Sequence, residues 1–195
     1  MKKCIFLTAV FIFLIVPIFI YPLTLVRVGY IDLDLLIKTY TEKYLETEID
    51  MRNDYLTQQQ SEYNEKYYSM SASERNEYQG KMNDQRNALS MIRYNQLFWQ
   101  RSGEIRDDII FQIIQRNLMD AIKKTSELEG FSLILDNTGN FIYGSEDINL
   151  TDKVLFRLEE KLLELQESEP VVPISFELDE NFEIKPAPKT ETNTE

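Results

Sequence analysis

Residues that could do chemistry are sparse in this 195-residue chain. Asp107/Asp108 and Glu159/Glu160 stand as adjacent carboxylates, and general acid–base catalysis does use paired acids. Successive side chains on a helix diverge in direction, however, so neighbouring acids there make a solvated face and not a dyad. The sequence contains no histidine, and its one cysteine, Cys4, lies in an apolar leader. Histidine bases, thiolate nucleophiles, disulfides and ordinary zinc sites therefore fall together. Nor does any glycine-rich phosphate loop or nucleophile–base pair occur. The expectation is a protein that is not an enzyme and carries no cofactor or metal. What stands out is tyrosine, with eight of eleven between positions 40 and 94. Aromatic rings with a polar handle suit weak, adaptable contact. The chemistry implied is binding.

Charge narrows the partner. The net charge is −12, and residues 167–195 hold eight acids against two lysines. Phosphate backbones reward basic patches, so nucleic acid is not expected as a partner. Lys2 and Lys3 precede an uncharged stretch over residues 4–26. A basic start followed by an apolar run describes an export signal, while the length would also span a bilayer. Pro17 and Pro22 would disturb a spanning helix. Residues 1–26 are thus read as a signal peptide, with an N-terminal anchor as the alternative. Either way the remainder is exported.

Helices and strands must position these tyrosines. VRVGYIDLD alternates Val28 and Tyr30 as a strand would, so body strand 1 covers 27–33, and Asp32 or Asp34 suits a helix N-cap. Residues 35–70 lack proline and glycine. Leu35, Ile49, Leu56, Tyr63 and Met70 fall on a seven-residue stride, beside a polar companion line of Leu45, Arg52, Gln59 and Lys66. SMSASE then breaks the pattern, and Ser71 with Glu74 forms a capping box. The chain reverses there into an antiparallel helical hairpin over 34–129, with its tip near 70–74. The returning helix is predicted to run unbroken to Glu129, about 80 Å, before Gly130 caps it. Gly80 and Gly103 inside it read as tolerated substitutions, at about 1 kcal/mol each relative to alanine. Its last third is apolar on most sides and is expected to be buried.

FSLILDNTGNFIYGSEDINLTDKVL, residues 131–155, is different in kind. It reads as strand, turn, strand and the Thr151-capped start of a final helix with Val154, Leu155, Leu158, Leu162 and Leu165 on one face. Residues 130–166 form the body hairpin and closing helix, and 167–195 an acidic, proline-containing disordered tail. Within it, ISFELDENFEI is a candidate transient strand or partner-binding segment. The fold class is α+β, mostly α: a long helical hairpin on a small β body. Three short strands are marginal alone, so self-association is expected to close their edges.

These residues carry a family resemblance. VGYIDLDLLI resembles the first strand and helix entry of the Skp family, the OmpH-like periplasmic chaperones. FSLILDNTGNFIYGSEDINLTDKVLFRLE is similar to that family's closing segment, with Asp136, Tyr143, Asn149, Leu150, Thr151 and Val154 at the motif positions. Asn149 replaces the usual acid. The resemblance covers Val28 to about Gln166. It implies a homotrimer whose pooled strands form a shared β-barrel through Val28, Tyr30, Leu133, Leu135, Phe141 and Tyr143. Three helical arms then enclose a cavity that holds unfolded outer-membrane proteins in the periplasm without ATP. Client contact is expected at Tyr55, Tyr67, Tyr68, Met70, Tyr78 and Met82; Tyr63 and Tyr78 also suit the helical seam, and the methionines also suit gap filling. Well-known members are basic, whereas residues 46–97 here hold nine acids against six bases. That charge argues against binding lipid or lipopolysaccharide. The reading from another class is a membrane-anchored coiled-coil scaffold of the envelope, retained at the inner membrane.

Overall fold

The computed structural model describes residues 26–137, 145–168, 170, 177–178 and 184–185. Strand β1 (Val28–Ile31) leads directly into helix α1 (Leu33–Lys66). Of the two candidate caps, Asp32 is the one used: its Oδ1 accepts from Leu35 N at 2.9 Å. Asp34 instead lies in the first turn, where its charge suits the helix dipole. At the tip, Ser71 N donates to Glu74 Oε2 at 2.7 Å, and Glu74 N donates to Ser71 Oγ at 3.2 Å. This capping box opens α2 (Ala72–Ser102), which returns antiparallel to α1. Beyond it come helix α3 (Asp108–Glu129), strand β2 (Leu133–Asp136), a short 3-10 turn (Glu146–Ile148) and helix α4 (Thr151–Glu167). Strands β1 and β2 pair in parallel, Val28 opposite Leu133 and Ile31 opposite Asp136.

The return is not one helix. Gly103 has φ 69°, a left-handed conformation that glycine adopts without the Cβ penalty, and its N–H closes α2 on Trp99 O at 2.8 Å. Gly103 is thus a stop signal and not a tolerated substitution. Asn95 organises the linker beyond it. Buried within α2, its Oδ1 accepts from Arg106 N at 2.9 Å and Asp107 N at 3.0 Å. Asp107 then caps α3 by accepting from Ile109 N and Ile110 N. The adjacent acids at 107 and 108 are therefore a helix start. Because Asn95 precedes the end of α2 by two turns, the linker doubles back before α3 begins. An unbroken helix over 72–129 would be about 87 Å long against about 51 Å for α1, and would overrun the body. Gly80, by contrast, sits in α2 facing open space.

The buried stripe of α1 also differs from the expected stride. Leu36, Tyr40, Tyr44, Leu45 and Met51 are buried, whereas Leu35 is exposed. Of the stride residues only Tyr63 is fully covered among the described positions, and the supposedly polar line supplies Leu45 and Arg52 to the interior. Arg52 Nε donates to Glu48 Oε2 at 2.9 Å, and its Nη1 to Gln85 Oε1 at 2.6 Å. Tyr44 OH donates to the same carboxylate at 3.3 Å. Partnered in this way, charges become tolerable core residues. Burial pushes the Tyr40 hydroxyl up to about 12, opposed by the hydrogen bond from Asn117 Nδ2. Burial also pushes Tyr44 up, aided by the Glu48 charge.

In the body, a Cβ on Gly29 would stand 3.1 Å from both Leu150 and Phe131 side chains, so the strand packs there at backbone range. Leu150 N donates to Tyr30 O, and Tyr30 bridges Asn149 on the side of β1 away from β2. Thr151 does not cap α4 as expected; the N-cap is Leu150, and Asn149 Oδ1 accepts from Thr151 N at 3.0 Å. The Thr151 hydroxyl is drawn elsewhere, accepting from Asp32 N at 3.0 Å. Asp136 Oδ1 accepts from Leu33 N at 3.2 Å. Val154, Leu158 and Leu162 then bury one face of α4 in a core shared with α1 and α3. The second strand of the expected hairpin, with Phe141 and Tyr143, lies outside the described residues, as does the leader before Val26. In the tail, β3 (Glu177–Leu178) pairs antiparallel with β4 (Ile184–Lys185), so a short hairpin stands within ISFELDENFEI.

Two outcomes test this architecture. Asn95→Ala removes the acceptor for two N–H groups and should lower unfolding free energy by about 1–2 kcal/mol in urea titration. Faster amide exchange at Arg106 and Asp107 should accompany it; unchanged exchange would contradict the elbow's role. Arg52→Met should cost about 3–5 kcal/mol by leaving the buried Glu48 carboxylate without its cation, whereas adding Glu48→Leu should recover most of that loss. A double variant no more stable than the single one would contradict the pairing.

Candidate functional site

Among the described residues, three surfaces present aromatic and apolar side chains to solvent. The first is the tip of the hairpin. Near the end of α1, Tyr63 and Tyr67 meet edge-on with ring centroids 5.6 Å apart, and Tyr67 meets Tyr68 edge-on at 5.4 Å. Tyr78 of α2 tilts against Tyr63 at 6.4 Å. The Arg75 guanidinium stands over the Tyr67 ring, 5.1 Å from its centroid. Such edge-to-face arrangements hold rings in place while leaving faces open. Polar ties fix the cluster: Gln79 Nε2 donates to Tyr63 OH at 2.9 Å, and Tyr78 OH donates to Glu62 Oε2 at 3.5 Å. The neighbouring Tyr78 and Glu62 oxygens hold the Lys66 ammonium above its ordinary value.

The expected contact residues divide here. Tyr68 is 96% exposed and Tyr67 39%, so both face outward. Tyr55, Met70 and Tyr78 are half-buried. Met82 is only 3% exposed, on the face of α2 that also buries Gln85 and Leu89, which suits the gap-filling alternative.

The second surface lies at the base of the arm and was not anticipated. A groove of about 440 Å³ runs between the start of α1 and α3, lined by Ile37, Trp99, Ile105, Phe111, Leu118 and Met119 among others. The elbow opens it, since the linker holding Ile105 departs from the line of α2. Only part of the apolar stretch in α3 is covered, as Ile110, Ile114 and Leu118 are buried while Phe111 (51%) and Met119 (59%) are exposed. The expectation of all-round burial fails for a geometric reason: α1 and α4 cover two sides of α3 and leave a third. A helix apolar on more sides than its chain can cover was the signal. Beside the elbow, Tyr94 and Leu97 are exposed, and Arg106 lies over the Phe98 ring at 4.0 Å.

The sheet adds a further apolar face. Leu133 and Leu135 are 48% and 41% exposed, and Val28 opposite Leu133 is also exposed. Tyr30, opposite Leu135, is instead buried. Four of the six expected body residues therefore gather on one sheet, Tyr30 buried and the other three exposed, while Phe141 and Tyr143 lie outside the described residues.

Nothing in these surfaces assembles a reactive centre. Among the described residues no group of three or more potential metal-ligating side chains occurs, and no helix is long and apolar enough to cross a membrane. Glu159 of the second acid pair binds the Lys43 ammonium across the α1–α4 contact.

Comparison with known proteins places this geometry. A search of the curated proteins finds no match. The family model for outer membrane protein (OmpH-like) matches residues 27–158, a span that begins at β1 and ends within α4. It takes in the strand entry, both arms of the hairpin, the elbow and the Asn149–Val154 closure. On that match over about two thirds of its length, the chain belongs to the OmpH-like outer membrane protein family.

Proposed function

We propose that this protein is an ATP-independent holdase chaperone of the periplasm that sequesters unfolded outer-membrane proteins between helical arms. The observation that carries the reading is the OmpH-like match over residues 27–158, from β1 through the arm and into α4. That family is a chaperone family, so catalysis has no part in the reading. Residues 1–26 act as the export leader. Three copies join through the sheet face of Val28, Tyr30, Leu133 and Leu135, with Phe141 and Tyr143 completing the barrel. The exposure of two leucines and a valine on a two-stranded sheet supports this, because such a face is marginal without cover.

Client contact falls to Tyr67 and Tyr68 first, with Tyr55, Met70 and Tyr78 contributing partial surfaces. Each contact is weak, and their number within one enclosure supplies retention through effective concentration. An arm with more acids than bases favours clients held by rings and apolar segments over anionic lipid or lipopolysaccharide.

Two measurements decide the matter. The leaderless protein should have the molar mass of a trimer at micromolar concentration, and Leu135→Asp should yield monomers. A stable wild-type monomer would sink the enclosure. Diluting a denatured outer-membrane barrel into the trimer should suppress its aggregation at one trimer per client. Tyr67→Ser with Tyr68→Ser should weaken retention by up to about tenfold while leaving the trimer intact. Absence of suppression would count for the scaffold reading instead.

A further inference from the structure

The end of α4 points along the arm. Lys43 meets Glu159 and Asp32 meets Thr151, so α4 ascends beside α1 in the same direction. Past its last turn, Pro170 O accepts from Gln85 Nε2 at 2.9 Å, which fixes the departing chain on α2. Helical spacing puts Met51, Tyr55 and Gln58 of α1 on the side that faces α4, with Lys81 and Ala88 of α2 beside them. Met51, Gln85 and Ala88 are all buried. Just beyond Gln85, Lys81 pairs with Glu77 at 2.7 Å, and that hydrogen bond holds its ammonium above its ordinary value.

The sequence beyond Pro170 suits that strip in length and in chemistry. From Gln85 to the start of α2 is about 20 Å at helical rise. Residues 171–178 extended span about 26 Å, enough to reach the tip. Ile174, Phe176 and Leu178 alternate with polar residues, as do Phe182 and Ile184. In the β3–β4 pair Leu178 stands opposite Ile184. Such alternation is common to half-buried strands, those of membrane barrels included.

We propose that residues 171–185 dock on the arm between Gln85 and the tip as an internal competitor that imitates a client strand. The competition rests on the chaperone reading above; the docking does not. A segment tethered at Pro170 is present at millimolar effective concentration, so even weak docking lowers client affinity severalfold to about tenfold.

The test uses the full chain with Gln58→p-benzoylphenylalanine, irradiated without client as a mixture of isotopically labelled and unlabelled copies. A crosslink to residues 171–185 of the same chain is expected; a crosslink to another copy, or none, overturns the docking. A chain ending at Ser168, and the full chain with Phe176→Ser and Leu178→Ser, should each bind a denatured outer-membrane barrel about tenfold tighter. Unchanged affinity in both overturns the competitor role. If no form binds the barrel, the chaperone reading falls, and the crosslink alone decides whether the segment docks.

Discussion

Two strands that lie side by side and run the same way require the chain between them to travel out and return to its starting level. In this protein that chain is residues 32–132, and nearly all of it is helix. The outbound helix and the returning helices differ greatly in length, and the Asn95 elbow absorbs the difference. By holding Arg106 and Asp107 two turns back from the end of α2, it sets where α3 starts. That in turn sets where β2 meets β1, which strand register makes an all-or-none matter. The groove at the arm's base, the exposed side of α3 and the sheet face all stem from this one offset.

The arm is built in zones. Near the body it is closed by aliphatic packing with α4 and α3, and in its middle by the Glu48–Arg52–Gln85 network. Toward the tip, tyrosines and amides replace aliphatics. A network of this kind adds little net stability, yet its geometry is demanding. It holds two helices in register where apolar packing alone would permit sliding. In the outer zone Tyr63, Tyr78 and Gln79 still tie the two helices together, while Tyr67 and Tyr68 stay exposed.

Much of the fold was legible because local chemistry and tertiary structure agree. The Ser71–Glu74 box, the Asp32 cap, the Gly130 terminator and the alternation of both body strands each carry their meaning within a few residues. What stayed hidden depends on partners far along the chain. Gly103 in a helical pattern costs too little to announce a break, and nothing near Asn95 marks it as the acceptor for residues eleven and twelve positions on. The α1 seam was misread because tyrosines and an arginine were not counted as core, although Tyr40, Tyr44 and Arg52 are buried. Thr151 looked like a cap because the N–H of Asp32, its actual partner, is remote in sequence. The outward exposure of Tyr67 and Tyr68 was legible from falling off the stride, and the burial of Met82 agrees with the gap-filling alternative also read for the methionines.

Parallel pairing between β1 and β2 also dictates an order of events. During synthesis β1 emerges with no mate until residue 136 has come through after it. The hairpin must therefore zip first, from contacts close in sequence, and only its completion brings the two strand segments within reach. The joining of copies proposed through that sheet would come last, since the sheet forms only once the arm has folded back on itself.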